Sequence, residues 1–279
     1  TAVGKQSMKS GTAGFQNTAA GYQSMYNNAA NYNTAFGTQA LYSNTNGNGN
    51  VALGSFAGYS WTGIAFCTLA GYGADVNANS LFNATAIGWD AIVDGSNKVR
   101  VGNSFVTSIG GYANWTNVSD GRVKKNIKAN VPGLAFINKL QPVTYNLNLE
   151  EADKIIQRPA KKDKDGKSIP TATEDAVARK AKEAVLYTGF VAQDVEKAAK
   201  SLNYDFSGVD AAKNDKDLYG LRYAEFVVPL VKAVQELSKI NEDKDAKIDD
   251  LQKQINDLKA MIISGKTIVS NEQSAILSS

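Results

Sequence analysis

Histidine is absent from this 279-residue chain, cysteine occurs once and proline five times. Without histidine, a His-based triad, a His metal site and a His pH switch are all excluded. Cys67 has no partner in its own chain, so the fold must hold without an intrachain disulfide. No run approaches the ~18 apolar residues of a membrane span. Charge is scarce at first: residues 1–118 carry only Lys5, Lys9, Lys98, Arg100, Asp75, Asp90 and Asp94. Nearly all of the 30 bases and 27 acids, and every proline, lie beyond that point. Two compositions imply two architectures. The net charge of +3 is too small and too evenly mixed to argue for nucleic acid, and membrane insertion is not expected.

What the first part does have is a repeat. Thr1-Ala2-Val3-Gly4 recurs as Thr18–Gly21, Thr34–Gly37, Val51–Gly54, Thr68–Gly71 and Thr85–Gly88, the glycines stepping by 17, 16, 17, 17 and 17 residues. A small residue follows three positions after each glycine (Ser7, Ser24, Ala40, Ala57, Ala74, Ala91), and Asn17, Asn33 and Asn50 precede units. Each unit reads as a short strand, and its glycine lets the backbone bend or approach a neighbouring rung. No single unit can bury an apolar face, so rungs must stack as a solenoid over residues 1–102. The recurring alanines leave little room, which suits several chains packed about an axis; a single-chain solenoid is the alternative. Tyr22, Phe56, Tyr72 and Trp89 lie just beyond glycines, as fillers between chains or as sugar-stacking platforms. The chain opens inside the repeat, with no initiator Met or signal-peptide pattern, so it is expected to be the C-terminal part of a longer protein.

The repeat unit resembles the head repeat of trimeric autotransporter adhesins, also found in phage and phage-like tail fibres. That resemblance implies a three-chain parallel β-roll. After Val99-Arg100-Val101-Gly102 the period is lost, and residues 103–118 form an apolar tether. At the junction stand Ser119-Asp120, Arg122, Lys124 and Asn126-Ile127. Downstream come Leu140–Tyr145, Thr188–Val195, and Tyr223 with Leu230–Leu237. In this order they resemble the blocks of the endosialidase-type intramolecular chaperone, an auto-processing domain of phage tail spikes and fibres.

The resemblance implies that the domain over 119–226 aligns three chains and then cuts itself off at the Val118–Ser119 bond. It implies Ser119 as nucleophile and Lys124 as base, with Asp120 in a supporting role. The chemistry is coherent: a serine hydroxyl needs a neighbouring base, and lysine serves once burial or a nearby cation makes it neutral. Lys125, Arg122 and an apolar interface are the expected sources of that effect. No cofactor and no metal are required. The alternative for Ser119 and Asp120 is a cap or a turn.

Residues 150–185 are charged and poor in apolar groups, reading as a solvated loop or exposed helix. Asp163, Asp165 and Gly166 lack the later acidic ligands of a calcium loop. From Val227 a heptad pattern begins. Val227, Val234, Asn241, Ile248, Ile255 and Ile262 share one position; Leu230, Leu237, Lys244, Leu251 and Leu258 share the other. This predicts a coiled-coil helix over 227–263 with a tail over 264–279, Asn241 and Lys244 setting register. Ile or Val with Leu at these positions favours two strands, whereas both resemblances imply three.

The expectation is therefore a multi-domain chain: an all-β trimeric parallel β-roll, then an α+β chaperone domain ending in a coiled coil. The expected protein is the distal tail fibre of a phage or contractile injection system, assembled in the bacterial cytoplasm and located on the virion or an extracellular particle. Its partners would be two further copies of itself, upstream fibre or baseplate proteins, and a host-surface glycan or protein receptor. A non-cleaving fibre or surface adhesin with a permanent trimer clamp is the alternative.

Overall fold

The computed structural model describes residues 1–11, 14–157, 162, 166–168 and 175–277. Asp163 and Asp165 of the discounted calcium loop lie outside these residues. The repeat forms a parallel β-solenoid of about six turns. Strands β1 (Ala2–Val3), β2 (Thr18–Ala20), β3 (Thr34–Phe36), β4 (Val51–Leu53) and β5 (Thr68–Ala70) stack in register. After β6 (Asp75–Val76) comes β7 (Thr85–Ile87), and after β8 (Ile92–Val93) comes β9 (Val99–Val101). β7 and β9 complete the seven-stranded sheet, while β6 pairs with β8 on a second face. The last rung follows a shorter step and places Arg100 opposite Ala86.

The middle residue of most rungs (Ala19, Ala35, Ala52, Leu69, Ala86) is fully buried, together with Ser24, Ala40, Ala57, Ala74 and Ala91. Met25, Leu41 and Ile64 fill the space between. The alanines therefore pack inside one chain, not about an axis between chains, because a three-residue strand turns its central side chain into a narrow interior. Glycine is required where rungs touch. Gly37 has φ +135°, and a Cβ there would lie 2.5 Å from the carbonyl carbon of Gly54.

Asparagine repeats for a physical reason. Asn33 Oδ1 accepts from the Asn50 amide at 2.8 Å, and Asn17 Oδ1 from the Asn33 amide at 2.8 Å. Their side-chain amides donate to the carbonyls of Ala30, Gly47 and Ile64. Asn44–Asn28 and Gln39–Gln23–Gln6 form parallel columns. Buried backbone that cannot join a sheet is thus satisfied rung by rung. Cys67 takes the next place in the first column, and burial pushes its thiol pKa up.

By packing, the chain divides into two units, each built from several stretches of the sequence. The first comprises Thr1–Lys124, Gln141–Gln193 and Val209–Leu221; the second comprises Lys125–Leu140, Asp194–Gly208 and Arg222–Ser279. The division arises because the charged insertion and the 209–221 segment make their contacts on the end of the solenoid. In the first unit β10 (Val143–Tyr145) pairs antiparallel with β11 (Tyr187–Gly189). Between them lie α2 (Leu149–Ile156), capped by Asn148, and α3 (Ala176–Glu183), capped by Asp175. Arg179 and Asp153 link these helices at 2.6 Å. β12 (Val209–Asp210) and β13 (Gly220–Leu221) form a small hairpin.

The second unit is built on aromatic side chains. Phe136, on the short helix α1 (Leu134–Ile137), is fully buried. It meets Phe206 at 5.0 Å and Tyr204 at 5.4 Å between ring centres, and Phe206 meets Phe226 at 4.9 Å. α4 (Ala192–Lys200) buries Val195 and Ala199, and α5 (Val227–Leu277) is one continuous helix. It runs past residue 263, where a tail was expected, because no proline follows and Gly265 costs only about 1 kcal/mol in a helix. α1 packs on α5, and the Glu236 carboxylate accepts from the Leu134 amide at 2.8 Å. Among the described residues, no helix is long and apolar enough to cross a membrane.

Candidate functional site

The turn at 119–124 explains how a serine and a lysine five residues apart can meet. Asp120 caps a one-turn 3-10 helix, Gly121–Val123, accepting from the Arg122 amide at 2.8 Å. The Lys124 amide closes the turn on the Gly121 carbonyl at 3.3 Å. The Lys124 side chain then folds back, with Nζ 2.9 Å from Ser119 Oγ. A hydroxyl and an amine are thus held within reach of proton transfer. Val118, the residue that precedes this serine, is 88 % exposed.

Asp120 is placed differently from the two groups it was expected to support. Its carboxylate takes the Arg122 guanidinium through both oxygens as well as the Arg122 amide. The side-chain hydrogen bond, then the amide, hold the Asp120 carboxyl below its ordinary value. Arg122 is correspondingly occupied, so its charge is balanced by Asp120. Asp120 therefore shapes the turn and does not touch Lys124. Residues 118–124 are exposed throughout, as are Ile109, Tyr112, Trp115 and Ile127 nearby.

The motif blocks are also brought together. Leu140–Tyr145 and Thr188–Val195 meet as β10 and β11, with Val143 opposite Gly189 and Tyr145 stacked on Tyr187 at 5.7 Å. The insertion leaves and re-enters the chain at this pairing. The heptad residues of α5 lie in open solvent in the single chain: Val227, Leu230, Val234, Leu237, Ile248, Leu251, Ile255, Leu258 and Ile262 are between 45 and 64 % exposed. Asn241 and Lys244 are exposed on the same helix. On the solenoid, the outward third strand position carries Val3, Phe36, Leu53, Ile87 and Val101, all exposed and aligned by the sheet register.

Of the aromatics beyond the glycines, Phe56 and Tyr72 pack edge to face at 5.6 Å, while Tyr72 and Trp89 stay exposed. Tyr26, Tyr42 and Tyr59 form a stacked column at 5.3 Å spacing that sequence reading passed over, although a 16–17-residue tyrosine spacing marked it. Also missed was a charge cluster at the solenoid end, joining Asp94, Lys98 and Arg100 to Asp217. Its signal was four charged residues, Asp90 to Arg100, closing a repeat that before them carries only Lys5, Lys9 and Asp75. Among the described residues no group of three or more His, Cys, Asp or Glu side chains could hold a metal ion.

The architecture is a parallel β-solenoid followed by a helical C-terminal region. Residues 119–204 match the family described as chaperone of endosialidase, about a third of the chain, beginning at Ser119 itself. The final block, Tyr223 and Leu230–Leu237, lies beyond the matched residues. Neither a curated protein nor a solved structure matches the chain. A solenoid joined to this family's domain fits a tail-fibre-like protein, and the match points to trimerisation or autoproteolysis of a fibre.

Proposed function

We propose that the chain is the distal part of a tail fibre from a phage or contractile injection system, whose C-terminal segment aligns three chains and then cuts Val118–Ser119. The observation that carries this reading is the 2.9 Å contact of Lys124 Nζ with Ser119 Oγ at the first residue of the family match. Trimer formation is supported by the two apolar surfaces that a single chain leaves bare, the outward stripe of the solenoid and the heptad face of α5. Domains of the matched family act in homotrimer assembly. Alignment matters because parallel, repetitive rungs slip at little cost.

In the reaction, Ser119 Oγ gives its proton to neutral Lys124 and attacks the Val118 carbonyl carbon. The Val118–Ser119 amide breaks as the Ser119 nitrogen takes that proton, leaving an ester on Oγ. Water then hydrolyses the ester to the Val118 carboxylate and the free Ser119 hydroxyl. Association of three chains would cover the exposed junction and shield it from water, so cutting follows assembly. The finished fibre is then kinetically trapped. Fibre and upstream or baseplate proteins would be its neighbours, and a host-surface glycan or protein its receptor, on a particle assembled in the bacterial cytoplasm.

A non-cleaving fibre or adhesin is the second reading; what favours it is the exposure of Ser119 and Lys124. Mass spectrometry of purified chain separates the two. Cleavage gives residues 1–118 and 119–279, and Ser119→Ala or Lys124→Met abolishes it. An intact wild-type chain in a proven trimer overturns the cutting step, and a monomer by sedimentation overturns the assembly role.

A further inference from the structure

We infer that the end of the solenoid is a docking surface for the chain's own 209–217 segment, so that the two products of a cut in the tether stay bound to each other. This rests on the proposed cut at Val118–Ser119 for its occasion, though the contacts exist in the uncut chain. Lys98 and Asp217, 119 residues apart, form an ion pair with side chains only 5 and 0 % exposed. The second oxygen of Asp217 accepts from the Lys213 amide at 2.8 Å, so both oxygens are satisfied. Asp94 lies 3.6 Å from Lys98 and is itself held by Arg100 at 2.9 Å.

Around this pair, more bonds cross from one side of the tether to the other. Asn77, 1 % exposed, donates to the carbonyls of Lys216 at 3.0 Å and Ile156 at 3.1 Å. Asn214 donates to the Asp94 carbonyl at 3.4 Å, the Tyr59 hydroxyl to the Lys162 carbonyl at 2.9 Å, and Lys182 to the Val106 carbonyl at 2.7 Å. The segment between is bare: Tyr112 and Trp115 are exposed, and a Cβ on Gly110 or Gly111 would meet nothing within 4 Å. Each of these bonds joins a residue before Val118 to one after Ser119, so none is lost when that peptide bond is cut.

Charge gives the contact its selectivity. A buried pair that is satisfied on both sides is costly to break from one side, because the remaining charge is left dry and unpaired. Solenoids need their open ends covered, and this segment covers the last rungs. Cutting turns an intramolecular contact into a bimolecular one and removes the advantage of effective concentration, so only a specific surface keeps the fragments together.

The test begins with the full chain on a sizing column under native conditions, with a denaturing gel of each fraction. Wild-type fragments are expected to co-elute; their separation overturns the inference. Asp217→Asn and Lys98→Met are expected to release the C-terminal fragment, and co-elution undiminished in both variants overturns it. Should the wild type stay uncut, the cutting proposal alone fails. The docking surface is then tested by placing a site-specific protease sequence between Gly110 and Gly111 and cutting there. Co-elution after that cut supports the docking surface and separation overturns it, and this wild-type result stands even where a variant fails to fold.

Discussion

The solenoid and the helical unit bury themselves in opposite ways. In the solenoid the interior is mostly alanine with a few larger side chains, and asparagines stand inside it, each satisfied by the next rung. In the helical unit a handful of rings, Phe136, Phe206 and Phe226, carries the core, and one glutamate caps the short helix beside them. Stability is spread along the first and concentrated in the second. A region built from nearly equal rungs tolerates local damage but is poor at choosing its own register. A region with one centre is fragile yet unambiguous.

That contrast breaks most readily at Phe136. Phe136→Ala is expected to cost about 3–5 kcal/mol, the range for a large buried ring. Thermal unfolding followed by circular dichroism should show early loss of helix while the β signal persists; simultaneous loss of both would show that the regions are not independent. Asn33→Ala is the matching cut in the solenoid. It leaves the Asn50 amide without its acceptor, and a buried group left unpaired costs about 1–3 kcal/mol. Hydrogen exchange should rise at the neighbouring rungs only; a global rise would deny that stability is spread.

Acid should have the smallest effect, confined to the join between solenoid and hairpin. Burial pushes the Asp217 carboxyl up, but the Lys98 hydrogen bond, the Lys213 amide and the Lys98 charge, with Asp94 adding to them, hold it below its ordinary value. Lys98, Asp94 and, through Asp94, Arg100 face it from the solenoid. The stabilisation is therefore complete above the ordinary carboxylate value near ~3.9 and is lost as pH falls through the lower folded one. Protease-cut chain should co-elute at about pH 6, and the co-eluting fraction should fall progressively as pH is lowered below about 3.9. Co-elution unchanged by acid would remove charge from the account of this contact.

Much of the fold was legible in the glycine steps, because the backbone at Gly37 and its equivalents has room for no side chain. The Ser119–Lys124 approach was legible only as a spacing; the cap by Asp120 that folds the turn needed the structure. The seventh rung was legible as Val99-Arg100-Val101-Gly102, the last unit before the period is lost, but its register on the sixth, with Arg100 opposite Ala86, needed the structure. The Lys98–Asp217 pair was not legible, because residues 119 positions apart leave no local pattern. The end of the 227–263 heptads was read as the end of a helix, but heptads report packing against other helices, whereas helix continues wherever the backbone permits.

The asparagine and glutamine columns carry one more consequence. Asn50 donates to Asn33, Asn44 to Asn28, Gln39 to Gln23 and Gln23 to Gln6, in every case from the later rung to the earlier. In the glutamine column, Gln39 to Gln23 to Gln6, the side-chain amide dipoles therefore add head to tail. Sheets ordinarily have little net dipole. Here a β-structure acquires an electrical polarity of the kind helices have, and each amide polarises the next.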